Sequence, residues 1–291
     1  MKQWKRAGSL LAALCLLWTL GIGSSEALAA EVPADPFIPS VAVPSVSRTV
    51  EGPMLVAHRG LSSEAPENTL PAYSLAADRG FRYVETDIRP TKDGVWVLSH
   101  DNNLFRMTGY NGKISEMTLA QVQSHPIRKG ANVKNYPGLT VPTLSDFLTL
   151  CEERNLSPVI ELKTRGSNYP YSEVVEQIRT HHLEDRAIII SFYDTSLKAF
   201  RALAPEMAMQ YIIVSPTKRA VGTAEAIGNC GLDIMSSQFQ SDTSVLEDAK
   251  RRGIPLNVWT VDRMADAEAM LAAGTQFLTT NKILPGQIVV Q

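Results

Sequence analysis

Cysteine is nearly absent from this chain: 291 residues hold 3. Cys15 falls in an N-terminal segment expected to be removed, and Cys151 and Cys230 form no C-x-x-C pair. A disulfide scaffold is therefore excluded, and the two remaining thiols read as buried or unpaired. An excess of one charge is missing too. Lys plus Arg number 28 against 30 Asp plus Glu, a net charge of −2, so nothing calls for a nucleic-acid partner. The apolar run Ala7 to Gly23 is short for a membrane span. Basic MKQWKR precedes it and Ala27-Leu28-Ala29 follows, the small-x-small pattern of signal-peptidase cleavage. Cys15 follows Leu14 rather than a small residue, which argues against a lipoprotein. Residues 1–29 are thus expected to be a cleaved signal peptide. The mature chain would then carry a charge near −4, be secreted or periplasmic (cell envelope), and keep no stable membrane insertion. Periodicity is missing from residues 30–53, where Pro33, Pro36, Pro39, Pro44 and Pro53 break any helix or strand, so they read as an extended linker.

From residue 54 to 291 the pattern changes, and enough chain remains for one domain with a real core. Short apolar or β-branched runs alternate with amphipathic helical stretches. Strands are expected at Met54–Ala57, Tyr83–Ile88, Val159–Lys163, Ala187–Phe192, Gln210–Val214, Asp233–Ser237, Pro255–Val261 and Phe277–Thr280. Helix starts are legible between them. Thr143 with Asp146 makes a capping box, Asp194 opens TSLKAFRALA, and Asp262 opens RMADAEAMLAA, which Gly274 ends. Eight strands, most followed by a helix, argue for an α/β fold of the (β/α)8 TIM-barrel type; an open doubly wound sheet is the alternative. One insertion after the second strand, about residues 90–141, breaks the pattern. It begins with TKDGVWVLSHD, a hairpin signal at Asp93-Gly94 with a return strand Val95–Ser99. It continues with little regular structure and is expected to lie over one mouth of the barrel.

In such a barrel the chemistry sits at the carboxyl ends of the strands. His58 and Arg59 end the first. Glu85 and Asp87 lie two apart near the end of the second, hence on one face, and Glu161 and Lys163 repeat that spacing on the next. The hairpin should fold His100 back beside Glu85 and Asp87. Three carboxylates in one cleft repel and call for a cation. Oxygen ligands favour a hard divalent ion, Ca2+ or Mg2+, over zinc. Arg59 and Lys163 would suit a bound phosphate, and two histidines beside it could move protons. His125, His181 and His182 lack such company and read as surface residues. Trp259, in NVWTV, is either core or a wall facing substrate.

Taken in order, HRG, PENT (Pro66–Thr69), ETD with TKDG and HD (His100-Asp101), ELK and VWTV resemble the glycerophosphodiester phosphodiesterase family from about Met54 to Asn281. The resemblance implies a (β/α)8 barrel with a small insertion after the second strand. It implies a divalent metal, Ca2+ ahead of Mg2+, on Glu85, Asp87 and Glu161, with His58 and His100 as the acid/base pair. Arg59 and Lys163 would hold the phosphate, Asn68 would help to organise that substrate site, and Trp259 would face the organic part. The reaction implied is hydrolysis of a small glycerophosphodiester to glycerol 3-phosphate and an alcohol. Lysophospholipids, phosphoinositides and glycerophosphate wall polymers are rival substrates. A non-catalytic envelope protein would be expected to have lost some of these residues, and none is lost. One departure stands out: the family usually ends its last strand with Thr-Asp and a nearby proline, whereas this chain has Thr280-Asn281-Lys282. It is expected to change local charge and to leave the acid/base and metal positions untouched.

Overall fold

The computed structural model of the chain describes residues 54–288, so the expected signal peptide and the whole of the expected linker lie outside the described residues. Eight parallel strands close on themselves. They are β1 (Met54–Ala57), β2 (Tyr83–Pro90), β4 (Ser157–Leu162), β5 (Ile188–Ser191), β6 (Ala208–Ile213), β7 (Cys230–Met235), β8 (Leu256–Trp259) and β9 (Phe277–Thr280). Closure is carried by β1, which pairs with β9 on one side (Ala57 opposite Thr280) and with β2 on the other (Val56 opposite Tyr83). The open-sheet alternative is thereby ruled out. β3 (Trp96–Leu98) is the exception, antiparallel to β2 with Ile88 opposite Leu98.

Alternation along the strands sorts two cores. Val56, Val159, Ile188, Ile190 and Ile212 form one buried cluster, with Tyr83, Ala208, Trp259 and Phe277 packed against it. Their positions share the strand face of Glu85, Glu161 and Asp233, so this cluster fills the lumen. The opposite strand faces, for example Ile160, Leu162, Ile189, Leu232 and Ile234, join the larger cluster under the helices. α5 (Tyr171–Thr180) shows how a helix meets it: Tyr171, Val174, Val175 and Ile178 are buried, an i, i+3, i+4, i+7 stripe. α4 (Leu144–Glu153) starts at the expected capping box, with Asp146 N–H donating to Thr143 Oγ1 and Thr143 N–H to Asp146 Oδ2. Cys151 and Cys230 are both buried and free.

Several boundaries differ from expectation for physical reasons. β7 begins at Cys230, three residues earlier than expected, and Gly231 does not interrupt it. Instead it marks a close backbone approach: a Cβ there would lie 2.7 Å from the Pro255 carbonyl oxygen. Ser236 leaves the strand for a 3-10 turn, Ser236–Gln238. α6 (Asp194–Leu203) does begin at Asp194, but α9 (Met264–Ala272) begins two residues after Asp262. That carboxylate has been captured elsewhere, as the site shows.

The insertion is only partly irregular. After β3 it holds α2 (Phe105–Thr108) and α3 (Leu119–Gln123), the latter with a capping box between Thr118 and Gln121. It also has its own small core of Val97, Leu104, Ile114, Met117, Val122, Ile127 and Val141. Its apolar residues were too scattered to suggest this from the sequence, since no helix or strand period links them.

Candidate active site

At the carboxyl ends of the strands, one cleft of about 120 Å³ is lined by His58, Arg59, Glu85, His100, Glu161 and Lys163. Ile190, Phe192, Ile212, Asp233, Trp259 and Thr279 complete it. Eight of the nine residues singled out in the sequence are at this cleft or directly behind it, and the ninth, Asn68, reaches it through Asp87. None of His125, His181 and His182 lines it.

The HRG turn explains how a strand end becomes a site. Arg59 has φ 58° and Gly60 φ 77°. A Cβ on Gly60 would come within 2.7 Å of Ala72, so only glycine lets the loop pass α1 (Leu70–Asp78) there. The left-handed Arg59 turns its backbone N–H onto Glu85 Oε2 at 2.9 Å, while its guanidinium faces Asp87 at 3.1 Å and Glu67 at 3.0 Å. Lys163 Nζ lies 2.9 Å from Glu161 and 3.3 Å from Asp87.

Glu85, Asp87 and Glu161 are 3 %, 1 % and 7 % exposed, and each offers an oxygen within 4.8 Å of the others. Register does this, since Asp87 sits directly opposite Glu161 on the neighbouring strand. Two cations cannot keep three buried carboxylates ionised. Asp87 is held well below the usual carboxylate range, as Lys163 and Arg59 outweigh its burial. Burial, then the charge of Asp87, pushes Glu85 well up and Glu161 to about 7. A buried, all-oxygen trio that would otherwise hold a proton can hold a metal ion, and a hard divalent cation fits its donor set.

Asn68 stands behind this trio. Its Nδ2 donates to Asp87 Oδ2 at 2.8 Å, and its Oδ1 accepts from Tyr73 Oη (3.0 Å) and Thr86 Oγ1 (3.1 Å). Expected beside the phosphate, the amide is 3 % exposed and acts on the site through Asp87.

The two histidines have different partners. His58 Nδ1 lies 2.7 Å from Asn281 Oδ1. Asn281 Nδ2 and its backbone N–H both donate to Asp262, each at 2.8 Å. Because a carboxylate only accepts, the asparagine must turn its NH2 toward Asp262 and its oxygen toward His58. His58 therefore carries its proton on Nδ1, leaving Nε2 bare. Burial, then Arg59, holds its pKa below the ordinary 6.5. The departure at position 281 thus bears directly on an acid/base candidate, contrary to expectation, and Asp262 serves Asn281 rather than α9.

His100 arrives by the expected hairpin, with Ser99 N–H donating to the Asp87 carbonyl at 2.9 Å. Its Nδ1 meets a carboxylate, Asp101 Oδ1, at 2.8 Å. Arg106 binds that same Asp101 at 2.5 Å and Glu67 at 2.7 Å, so a chain of alternating charge runs from His100 to Arg59. Burial outweighs the nearby Asp87 charge and keeps His100 below 6.5 as well. Trp259, half-buried, packs edge-on against Phe192 with ring centroids 5.5 Å apart, and its Nε1–H donates to the Asp233 carbonyl at 3.2 Å.

A model of the glycerophosphoryl diester phosphodiesterase family matches residues 58–284. The chain belongs to that family. It is 30 % identical over 237 residues to a glycerophosphodiester phosphodiesterase of Caldanaerobacter subterraneus, covering 78 % of this chain and 93 % of that one. It is also 30 % identical over 225 residues to a probable glycerophosphodiester phosphodiesterase 2 of Mycobacterium tuberculosis, covering 72 % and 80 %. Among solved structures, an Oleispira antarctica phosphodiesterase in complex with the product sn-glycerol-3-phosphate superposes with a TM-score of 0.72 at 27 % identity. That match covers 79 % of this chain and 93 % of the other.

Some working parts of this family member went unread in its sequence. Arg89 donates to the His100 carbonyl through Nε (3.0 Å) and Nη2 (2.7 Å), bracing the hairpin. Glu67, inside the PENT motif, joins Arg59 to Arg106. Neither Arg89 nor Arg106 was singled out in the sequence, because nothing local marks a tertiary partner. Within the insertion, Tyr110 stacks on His125 with ring centroids 3.6 Å apart, and Leu104 belongs to its core.

Proposed function

We propose that this phosphodiesterase hydrolyses small glycerophosphodiesters to glycerol 3-phosphate and an alcohol, using a divalent metal, Ca2+ ahead of Mg2+, held by Glu85, Asp87 and Glu161. The observation that carries the reading is the buried carboxylate trio at the floor of a cleft walled by two differently paired histidines. When bound, the metal would neutralise charge growing on the phosphoryl oxygens.

The protein's own groups do the rest. Arg59 and Lys163 hold the phosphate by charge and N–H donation. His58, kept neutral with Nε2 bare, takes the proton from the attacking hydroxyl, whether of water or of the glycerol 2-position. His100 gives a proton to the departing alkoxide. Its carboxylate partner supports the imidazolium, and the anionic diester, once bound, adds to that support against burial. Trp259 and Phe192 pack against the organic part.

Release of glycerol 3-phosphate from glycerophosphocholine, measured with calcium, with magnesium and with chelator, tests the reading. Metal-dependent release supports it, and release indifferent to chelator sinks the metal assignment. His58→Ala and His100→Ala should each leave metal binding intact and collapse turnover; near-wild-type rates in both would remove the acid/base pair. Export is a further part of the proposal, resting on the N-terminal pattern alone. The N-terminus of the mature protein should follow Ala29, and an intact Met1 on exported protein would contradict it.

A further inference from the structure

One side chain in the cleft belongs to none of these roles. Asp233, on β7, faces the lumen and is 2 % exposed. Among the described residues its Oδ1, fully buried, has no hydrogen-bond partner. Its surroundings do not need it. The polar residues beside it are already paired: Asn257 Nδ2 donates to Gln210 Oε1 at 3.0 Å and to Thr279 Oγ1 at 3.2 Å. The charged group that acts most on it is Glu161, of like sign. A carboxyl buried without a partner destabilises the empty protein, so a structural role does not explain it. What remains is the cleft it lines, and whatever fills that cleft.

Geometry narrows the occupant. The phosphate end lies with Arg59, Lys163 and the trio, on β1, β2 and β4. Asp233 is on the far wall, beneath half-buried Trp259 and the 36 % exposed Phe192. The leaving alcohol varies in size and must reach solvent, so it points toward that aromatic rim. The constant half of the substrate enters first and lies deepest. A cation is a poor match for the site, because Asp233 stands outside the one cluster of three ligating groups found among the described residues. A hydroxyl can donate to the carboxylate or accept from the acid, and so satisfies Oδ1 in either form.

We propose that Asp233 binds a hydroxyl of the glycerol half of the substrate and selects for a polyol phosphate over an alkyl one. This rests on the reading above, in which the phosphate sits at the carboxylate trio. The experiment is calorimetric titration of the calcium-loaded full chain with glycerol 3-phosphate and with n-propyl phosphate, its analogue without hydroxyls. Wild type, Asp233→Asn and Asp233→Leu are compared, with thermal unfolding of each. Wild type should prefer glycerol 3-phosphate by roughly ten- to a hundredfold, the range for a site whose polar group is left unpaired by the analogue. Asp233→Leu should lose that preference while holding propyl phosphate within about twofold. Asp233→Asn, still able to donate and accept, should keep part of it, and serves alone if the leucine variant does not fold. An equal loss for both ligands, or no change for either, overturns the assignment. Wild-type protein that binds neither ligand overturns the phosphate site itself, and the Asp233 inference with it.

Discussion

Asn281 is the residue whose replacement most directly tests how the site works. Its amide oxygen accepts from His58 Nδ1 at 2.7 Å, and Asp262 fixes which way the amide faces. Asn281→Ala removes the acceptor and frees the imidazole to rotate or change tautomer. A hydrogen bond of this kind is worth about 0.5–1.5 kcal/mol net. At about 1.4 kcal/mol per tenfold, kcat/KM should fall roughly two- to twelvefold on the plateau above the acid limb. Asn281→Asp keeps the acceptor and adds a charge. An opposite charge at this range raises a histidine by about 1–3 pKa units, but the new carboxylate would also face Asp262, and a proton shared between them would hold the rise toward the lower end. The sign follows from the role: a base works only when neutral, so a raised His58 pKa depopulates the active form in mild acid. The wild-type acid limb of kcat/KM should lie below pH 6.5, since burial and Arg59 depress His58. In Asn281→Asp that limb should move up by about one unit or more, with the rate recovering at higher pH. Initial rates of glycerol 3-phosphate release across pH, on metal-saturated protein, measure both effects. An acid limb that stays put or moves down in Asn281→Asp, or full activity in Asn281→Ala, would refute the reasoning.

Other outcomes follow from the same geometry. Calcium at a hundred times its Kd should stabilise the protein by about 2.7 kcal/mol, a rise in Tm of roughly 5–10 °C by differential scanning calorimetry, and the gain should vanish in Glu161→Gln. Gly231→Ala should lower stability by about 1–3 kcal/mol in denaturant titration, since its Cβ meets the Pro255 carbonyl at 2.7 Å; an unchanged midpoint would mean β7 and β8 can separate at no cost. Glu67 and Asp101 are held below the usual carboxylate range, chiefly by Arg106 acting against burial. Their contribution is therefore complete above the unfolded carboxylate pKa, near 4, and is lost as pH falls through the depressed folded values. Arg106→Gln should accordingly lower Tm near neutrality and flatten its fall in acid, and a parallel downward shift at all pH values would contradict that.

Local chemistry in the sequence determined a good deal. Alternation set the lumen-facing carboxylates, because side chains two apart on a strand share a face whatever the strand packs against. The hairpin signal placed His100 correctly, because turn type and register are local properties. The count of eight strand-helix units pointed to a barrel, though closure itself needed β1 to find β9 across more than two hundred residues. Only the tertiary structure decided what each charged group answers to. Asp262 looked like a helix start and instead orients Asn281; Arg89 and Arg106 carried no local signal and brace the hairpin and His100. Gly231 lay outside the expected strand and is a contact point between strands. Asp233 looked like the start of a strand and is an unpaired acid in the cleft. Where a partner exists it is set by the fold, Asp262 and Asn281 being 19 residues apart and Arg106 and Glu67 39, and a polar side chain's hydrogen bond depends on a position within a few tenths of an ångström that no local pattern encodes.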